Sequence, residues 1–117
     1  MRIFVVLTTF LLVSFNCFSQ TQCEEKDNLA QQKGVRFDSY NNGFSVTGHG
    51  RLYFYSAPDV ACKNKDTFIV PGDVVNAYLD FNGYYSVMYF RGDGSQVEGW
   101  VKSSRLKENG TGNGPKQ

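Results

Sequence analysis

Beyond Gly34 the chain reads with a period of two. Val35 and Phe37 alternate with Arg36 and Asp38, and Phe44 and Val46 alternate with Ser45 and Thr47. Asn41-Asn42-Gly43 between them is a turn signal, so the pattern predicts two short strands joined as a hairpin. Gly48-His49-Gly50 breaks it. Arg51 to Ser56 is a stronger strand, with Leu52 and Phe54 on one face and Arg51, Tyr53 and Tyr55 on the other. Ala57-Pro58-Asp59 ends that strand, because proline has no N–H for a ladder. Val60 to Thr67 reads as a loop containing Cys62. Further strands follow at Phe68 to Val70, Val74 to Asp80, Tyr84 to Phe90 and Val97 to Val101. Pro71-Gly72-Asp73, Asn82-Gly83 and Arg91 to Gln96 are the turns between them. Lys102-Ser103-Ser104 is a tight polar turn, and Arg105 to Lys107 closes the sheet. Short strands at this spacing predict a small all-β barrel or sandwich.

The period also assigns faces. Ile69, Val75, Ala77, Tyr85, Val87, Tyr89 and Val101 point inward, while Tyr53, Tyr55, Tyr78 and Tyr84 point outward or lie at edges. Gly99 lets a neighbouring strand approach closely. Aromatic side chains with a wet end are enriched at binding grooves, which makes the outward tyrosines candidate binding residues.

The two ends read differently. Met1-Arg2 and an apolar run from Ile3 to Val13 form a secretory leader, with cleavage after Ser19. The run is shorter than the ~20 residues a membrane span needs. Ser14-Phe15-Asn16 fits poorly to a lipid-anchoring site at Cys17. Gln20 to Lys33 is polar, with good helix formers, and Gly34 is a C-cap candidate. Leu29 and Ala30 are its clear apolar residues, and one Leu is little to anchor a helix. Glu108 to Gln117 contains no apolar side chain and is expected to be disordered. The domain plan is therefore a leader at 1–19, an N-terminal extension at 20–50, a barrel at 51–107 and a tail at 108–117.

Composition narrows the function. The chain has 12 Lys+Arg and 11 Asp+Glu, and cleavage removes Arg2. A balance so near zero argues against nucleic acid or an anionic membrane surface as partner. Cleavage also removes Cys17, leaving Cys23 and Cys62. An even pair in an exported chain predicts a disulfide, worth ~4 kcal/mol in the chain-entropy account. Two free thiols, or half of a metal site, are the alternatives. His49 is the only histidine, and one His with two distant Cys is no zinc spacing. His49 lies in a glycine break, and Asp59, Asp73, Asp80 and Asp93 each sit where turn chemistry explains an Asp. Arg91-Gly92-Asp93 is a hairpin turn before it is an adhesion tripeptide. Asn109-Gly110-Thr111 is a glycosylation sequon, of consequence only on a eukaryotic secretory route. No catalytic group, metal or cofactor is expected, and the chain is not read as an enzyme.

From residue 51 onward the motifs come in a familiar order. They are Tyr55-Ser56-Ala57-Pro58, then Ile69-Val70-Pro71-Gly72-Asp73-Val74-Val75. Asn82-Gly83-Tyr84-Tyr85 follows, and Gly99-Trp100-Val101-Lys102-Ser103-Ser104-Arg105-Leu106 ends the series. This order resembles bacterial SH3-like domains over residues 51–106. The resemblance implies a five-stranded barrel with an aromatic groove, although Tyr84 stands where that family usually has Trp. Joined to the outward faces, it makes Arg51, Tyr53, Tyr55, Tyr84 and Trp100 the expected binding residues. The longer strings from Arg51 to Asp59 and from Gly99 to Lys107 resemble exported single-domain proteins of Gram-negative bacteria. Some of these are immunity partners of cell-wall-attacking toxins. The resemblance thus implies a periplasmic or secreted protein that docks on a cell-wall hydrolase or toxin, or alternatively one that holds a peptidoglycan peptide.

Overall fold

A computed structural model describes residues 18–112. The described residues begin with helix α1 (Phe18–Lys33) and continue through β1 (Val35–Arg36), β2 (Gly43–Val46), β3 (Leu52–Tyr55) and β4 (Lys63–Ile69). The long strands β5 (Val74–Phe81), β6 (Tyr84–Phe90) and β7 (Gln96–Lys102) follow, and β8 (Leu106–Glu108) ends it. Short 3₁₀ turns cover Ser39–Asn41, Val60–Cys62 and Ser103–Arg105. All pairings are antiparallel, in the order β4-β3-β7-β6-β5-β2-β8, with β1 also on β5. The sheet curls into a half-barrel with β4 and β8 at its ends. No helix among the described residues is long and apolar enough to cross a membrane.

Period-two patterning builds the concave side. Phe44, Val46, Leu52, Phe54, Ile69, Val75, Ala77, Val87 and Val101 form one buried cluster. Tyr85, Tyr89 and Phe37 pack against it, and Phe37, Phe44 and Tyr85 meet edge to face at 4.8–5.4 Å. The expected inward residues are thus where the alternation placed them. The Asn82-Gly83 hairpin is a two-residue turn with both residues in the left-handed region, at φ 53° and 81°. On β5 the register slips at Tyr78: Ala77 pairs with Val87, and Leu79 with Ser86. That bulge turns Leu79 to the opposite face from Val75 and Ala77.

Several expectations are corrected. Val35–Arg36 and Gly43–Val46 are not a hairpin. Both lie along the same side of β5, with Val35 opposite Asp80 and Gly43 opposite Asn76. β5 is long enough to take both strands end to end. Most of the expected loop at 60–67 is strand: Lys63 pairs with Tyr55 and Asn64 with Phe54. Its side chains are exposed and polar, so alternation could not show it. The start of the expected disordered tail is ordered. Glu108 pairs with Phe44, Gly43 donates its N–H to the Thr111 carbonyl, and Asn109 donates to the Gly43 carbonyl. Backbone pairing there needs no apolar side chain. The sheet therefore has eight strands and not the expected five, and β1 and β2 of the expected extension belong to it, while residues 20–33 lie in α1. Residues 1–17 of the expected leader, with Cys17, and residues 113–117 lie outside the described residues, while Phe18 and Ser19 begin α1.

Candidate functional site

The convex side of the sheet carries a second buried layer of Tyr55, Leu79, Tyr84, Trp100 and Ala30. Helix α1 lies over it. Among residues 20–34, those that are not exposed are Cys23, Asp27, Ala30 and Gly34. They stand at i, i+4, i+7 and i+11, one stripe of a helix. Each makes a different kind of contact. Cys23 is bonded to Cys62, as the cysteine count predicts. Asp27 accepts a 2.8 Å hydrogen bond from the Trp100 indole N–H. Ala30 is fully buried. Gly34 ends the helix by donating to the Ala30 carbonyl, and a Cβ there would come within 2.7 Å of that oxygen and 3.3 Å of Leu79. Its absence of side chain serves close approach.

Beside the disulfide, Lys26 bonds the Asp59 carboxylate at 2.5 Å. The Ala61 N–H bonds the same carboxylate, and together these hold Asp59 below its ordinary value of 3.8. Tyr55 and Tyr84 meet edge to face at 5.1 Å. Burial pushes the Tyr84 hydroxyl above its ordinary 10.0, aided by Tyr55 and Asp59. A cleft of about 570 Å³ runs between α1 and the turn after β3, lined by Glu24, Asp27, Ser56, Lys63 and the disulfide.

This layer corrects the expected binding face. Tyr55, Tyr84 and Trp100 are not outward groove residues. They do leave the concave side, as their parity requires, but they pack into a buried layer with Ala30 of α1, and Trp100 is 1% exposed. Arg51 and Tyr53 do reach solvent, and the structure joins them to two residues that sequence reasoning missed. Tyr53 pairs with Phe68 across β3 and β4, their rings 5.9 Å apart and edge to face. The Arg51 guanidinium lies 4.2 Å from the centre of the Phe68 ring. The Lys63 ammonium lies 4.3 Å from that of Tyr53. Arg51, Phe68, Tyr53 and Lys63 thus form a row of cation, ring, ring and cation. Phe68 is 38% exposed, and Val70 beyond it is exposed as well. The inward assignment of Ile69 already implied an outward Phe68. Lys63 carried no such signal.

His49 is exposed between Gly48 and Gly50, both in the left-handed region. Gly99 has the expected role, since a Cβ there would meet the Phe54 ring at 2.9 Å and the Tyr55 carbonyl at 3.3 Å. The Asp93 carboxylate closes its own turn by accepting from the Ser95 N–H and hydroxyl, which lowers its pKa. Among the described residues no group of three or more His, Cys, Asp or Glu could hold a metal ion. Comparison with protein-family profiles, curated proteins and solved structures finds no match to this chain.

Proposed function

We propose that this chain is a non-catalytic, exported docking protein. Its partner is a protein of the cell-wall hydrolase or toxin class, and its contact surface is the row Arg51–Phe68–Tyr53–Lys63. The row carries this reading. Exposed aromatic rings flanked by arginine are the composition of interface anchors, where a few residues supply most of the binding energy. The rings are held by each other and by two cations, so little side-chain entropy is lost when a partner covers them. Lys65 adds a third positive charge beside Asp66 on β4. A partner with an acidic rim would therefore associate faster, and at a rate that falls with salt. The five strands β3–β7 span the part of the chain that resembles an SH3-like domain. The disulfide suits an oxidising compartment.

The test is protection of a peptidoglycan suspension against lysis by purified cell-wall hydrolases, followed by turbidity. The mature protein should slow the lysis. Phe68→Ala and Arg51→Glu should each raise the concentration needed at least about tenfold, equivalent to ~1.4 kcal/mol. Full protection by both variants would move the contact surface elsewhere. Sedimentation of the protein with peptidoglycan, without any effect on lysis, would favour a wall-peptide ligand instead.

A further inference from the structure

We infer that α1 is a cover latched by the Cys23–Cys62 disulfide, and that reduction of this bond uncovers the Tyr55–Tyr84–Trp100 layer while the strand core stays folded. Three observations lead there. The first is the separation of the two buried layers: the concave cluster contains no residue of α1. The second is the poverty of the helix's apolar contact. Among the described residues of α1, Ala30 alone is buried, and Leu29 points to solvent at 46% exposure. A helix of 16 residues without an apolar stripe draws little stability from packing or from its own propensity. The third is access. The cleft of about 570 Å³ is lined by both cysteines, so a small thiol can reach the bond.

The step balances. A dithiol reductant attacks one sulfur as thiolate, and the mixed disulfide is then displaced by its second thiol. Cys23 and Cys62 each gain one electron and one proton, and the reductant leaves as a cyclic disulfide. Ties at the same end include the Lys26–Asp59 pair and the Asp27 bond to Trp100, both polar. Without the covalent link they must hold the helix against the whole entropy of the released segment. Release opens the aromatic layer to water. The inference does not rest on the docking reading, although Lys63 of that row lines the same cleft.

The experiment uses the mature protein, oxidised or treated with dithiothreitol and then capped with iodoacetamide, with capping checked by mass. Trp100 is the only tryptophan, so its fluorescence reports the layer directly. The expected result has three parts. Emission moves to longer wavelength and becomes accessible to acrylamide. Amides of residues 20–33 exchange at least about 100-fold faster, while those of β5–β7 keep their protection. Uncapped protein returns to its first state on reoxidation. Limited proteolysis of the reduced form should then remove α1 and leave a folded fragment from about residue 34. Two results overturn the inference. In one, α1 and Trp100 stay protected after complete capping. In the other, β5–β7 lose protection together with α1, which would make the disulfide a staple of the entire fold.

Discussion

The Trp100 indole N–H donates to the Asp27 carboxylate at 2.8 Å, across 73 residues of sequence. A buried indole needs an acceptor for its one polar atom. No backbone carbonyl of the sheet serves, and the helix laid over the ring supplies the oxygen. The bond ties the strand β7 to the helix α1. Asp27→Ala removes the acceptor and leaves the N–H covered. The expected loss is ~1–3 kcal/mol, seen as a lower urea midpoint with unchanged slope. Asp27→Asn retains an acceptor and should lose less. Equal losses for both would show that charge alone matters.

Tyr55→Ala and Tyr84→Ala should behave as core variants. Both rings are buried and in contact, so each truncation leaves a cavity under α1. The expected cost is ~3–5 kcal/mol in thermal or denaturant unfolding. A change below about 1 kcal/mol in either would mean that α1 collapses onto the space, or that it does not lie on the layer at all.

Two close contacts depend on small residues, Ala30 between helix and sheet and Gly99 between β7 and β3. Ala30→Leu adds three carbons where no exposed surface remains, and ~1–3 kcal/mol should be lost by overpacking. Gly99→Ala drives a methyl against the Phe54 ring. Differential scanning calorimetry should show a lower Tm for both. If Ala30→Leu were stabilising, the helix would sit farther from the sheet than its full burial implies.

Stability should fall at both pH extremes, for different groups. The hydroxyls of Tyr84 and Tyr85 titrate above their ordinary 10.0 in the fold, chiefly because burial disfavours the phenolate. Their contribution is complete below pH 10 and is lost as pH rises through the folded values. Asp59 is held below 3.8 by Lys26 and the Ala61 N–H. Its contribution is complete above about pH 4 and is lost as pH falls through the folded value. Urea midpoints measured from pH 3 to 11 should therefore drop at the two ends. Tyr84→Phe should reduce the alkaline fall, and Lys26→Gln should reduce the acidic one.

The inner core was legible because strand alternation has one simple period, and Val75, Ala77, Val87 and Val101 obey it. The parity of Tyr55, Tyr84 and Trp100 was legible too, but not what covers them. The covering stripe is Cys23, Asp27, Ala30 and Gly34, four residues that no hydrophobic pattern joins. One binds covalently, one by a hydrogen bond, and two by being small. β4 was hidden for a related reason. Lys63 to Thr67 is held by backbone pairing with β3 at an exposed edge, where lysines and a bulge also discourage pairing with other chains. The Arg51–Phe68–Tyr53–Lys63 row was half visible, because a strand pattern shows faces along one segment and not the partner across the register.

Strand β2 lies between β5 and β8. Both neighbours come later in the chain, and Phe44 reaches across to Glu108. Its first partner, β5, is made some thirty residues after it, and its second, β8, only when nearly the last described residue has been made. The consequence is kinetic. Phe44 and Val46 must wait, unsatisfied, while the β5–β6–β7 meander forms from local turns. Closure of the half-barrel is then a late, high-contact-order event. A chain emerging from its N-terminus would keep the half-barrel open until β8 has been made.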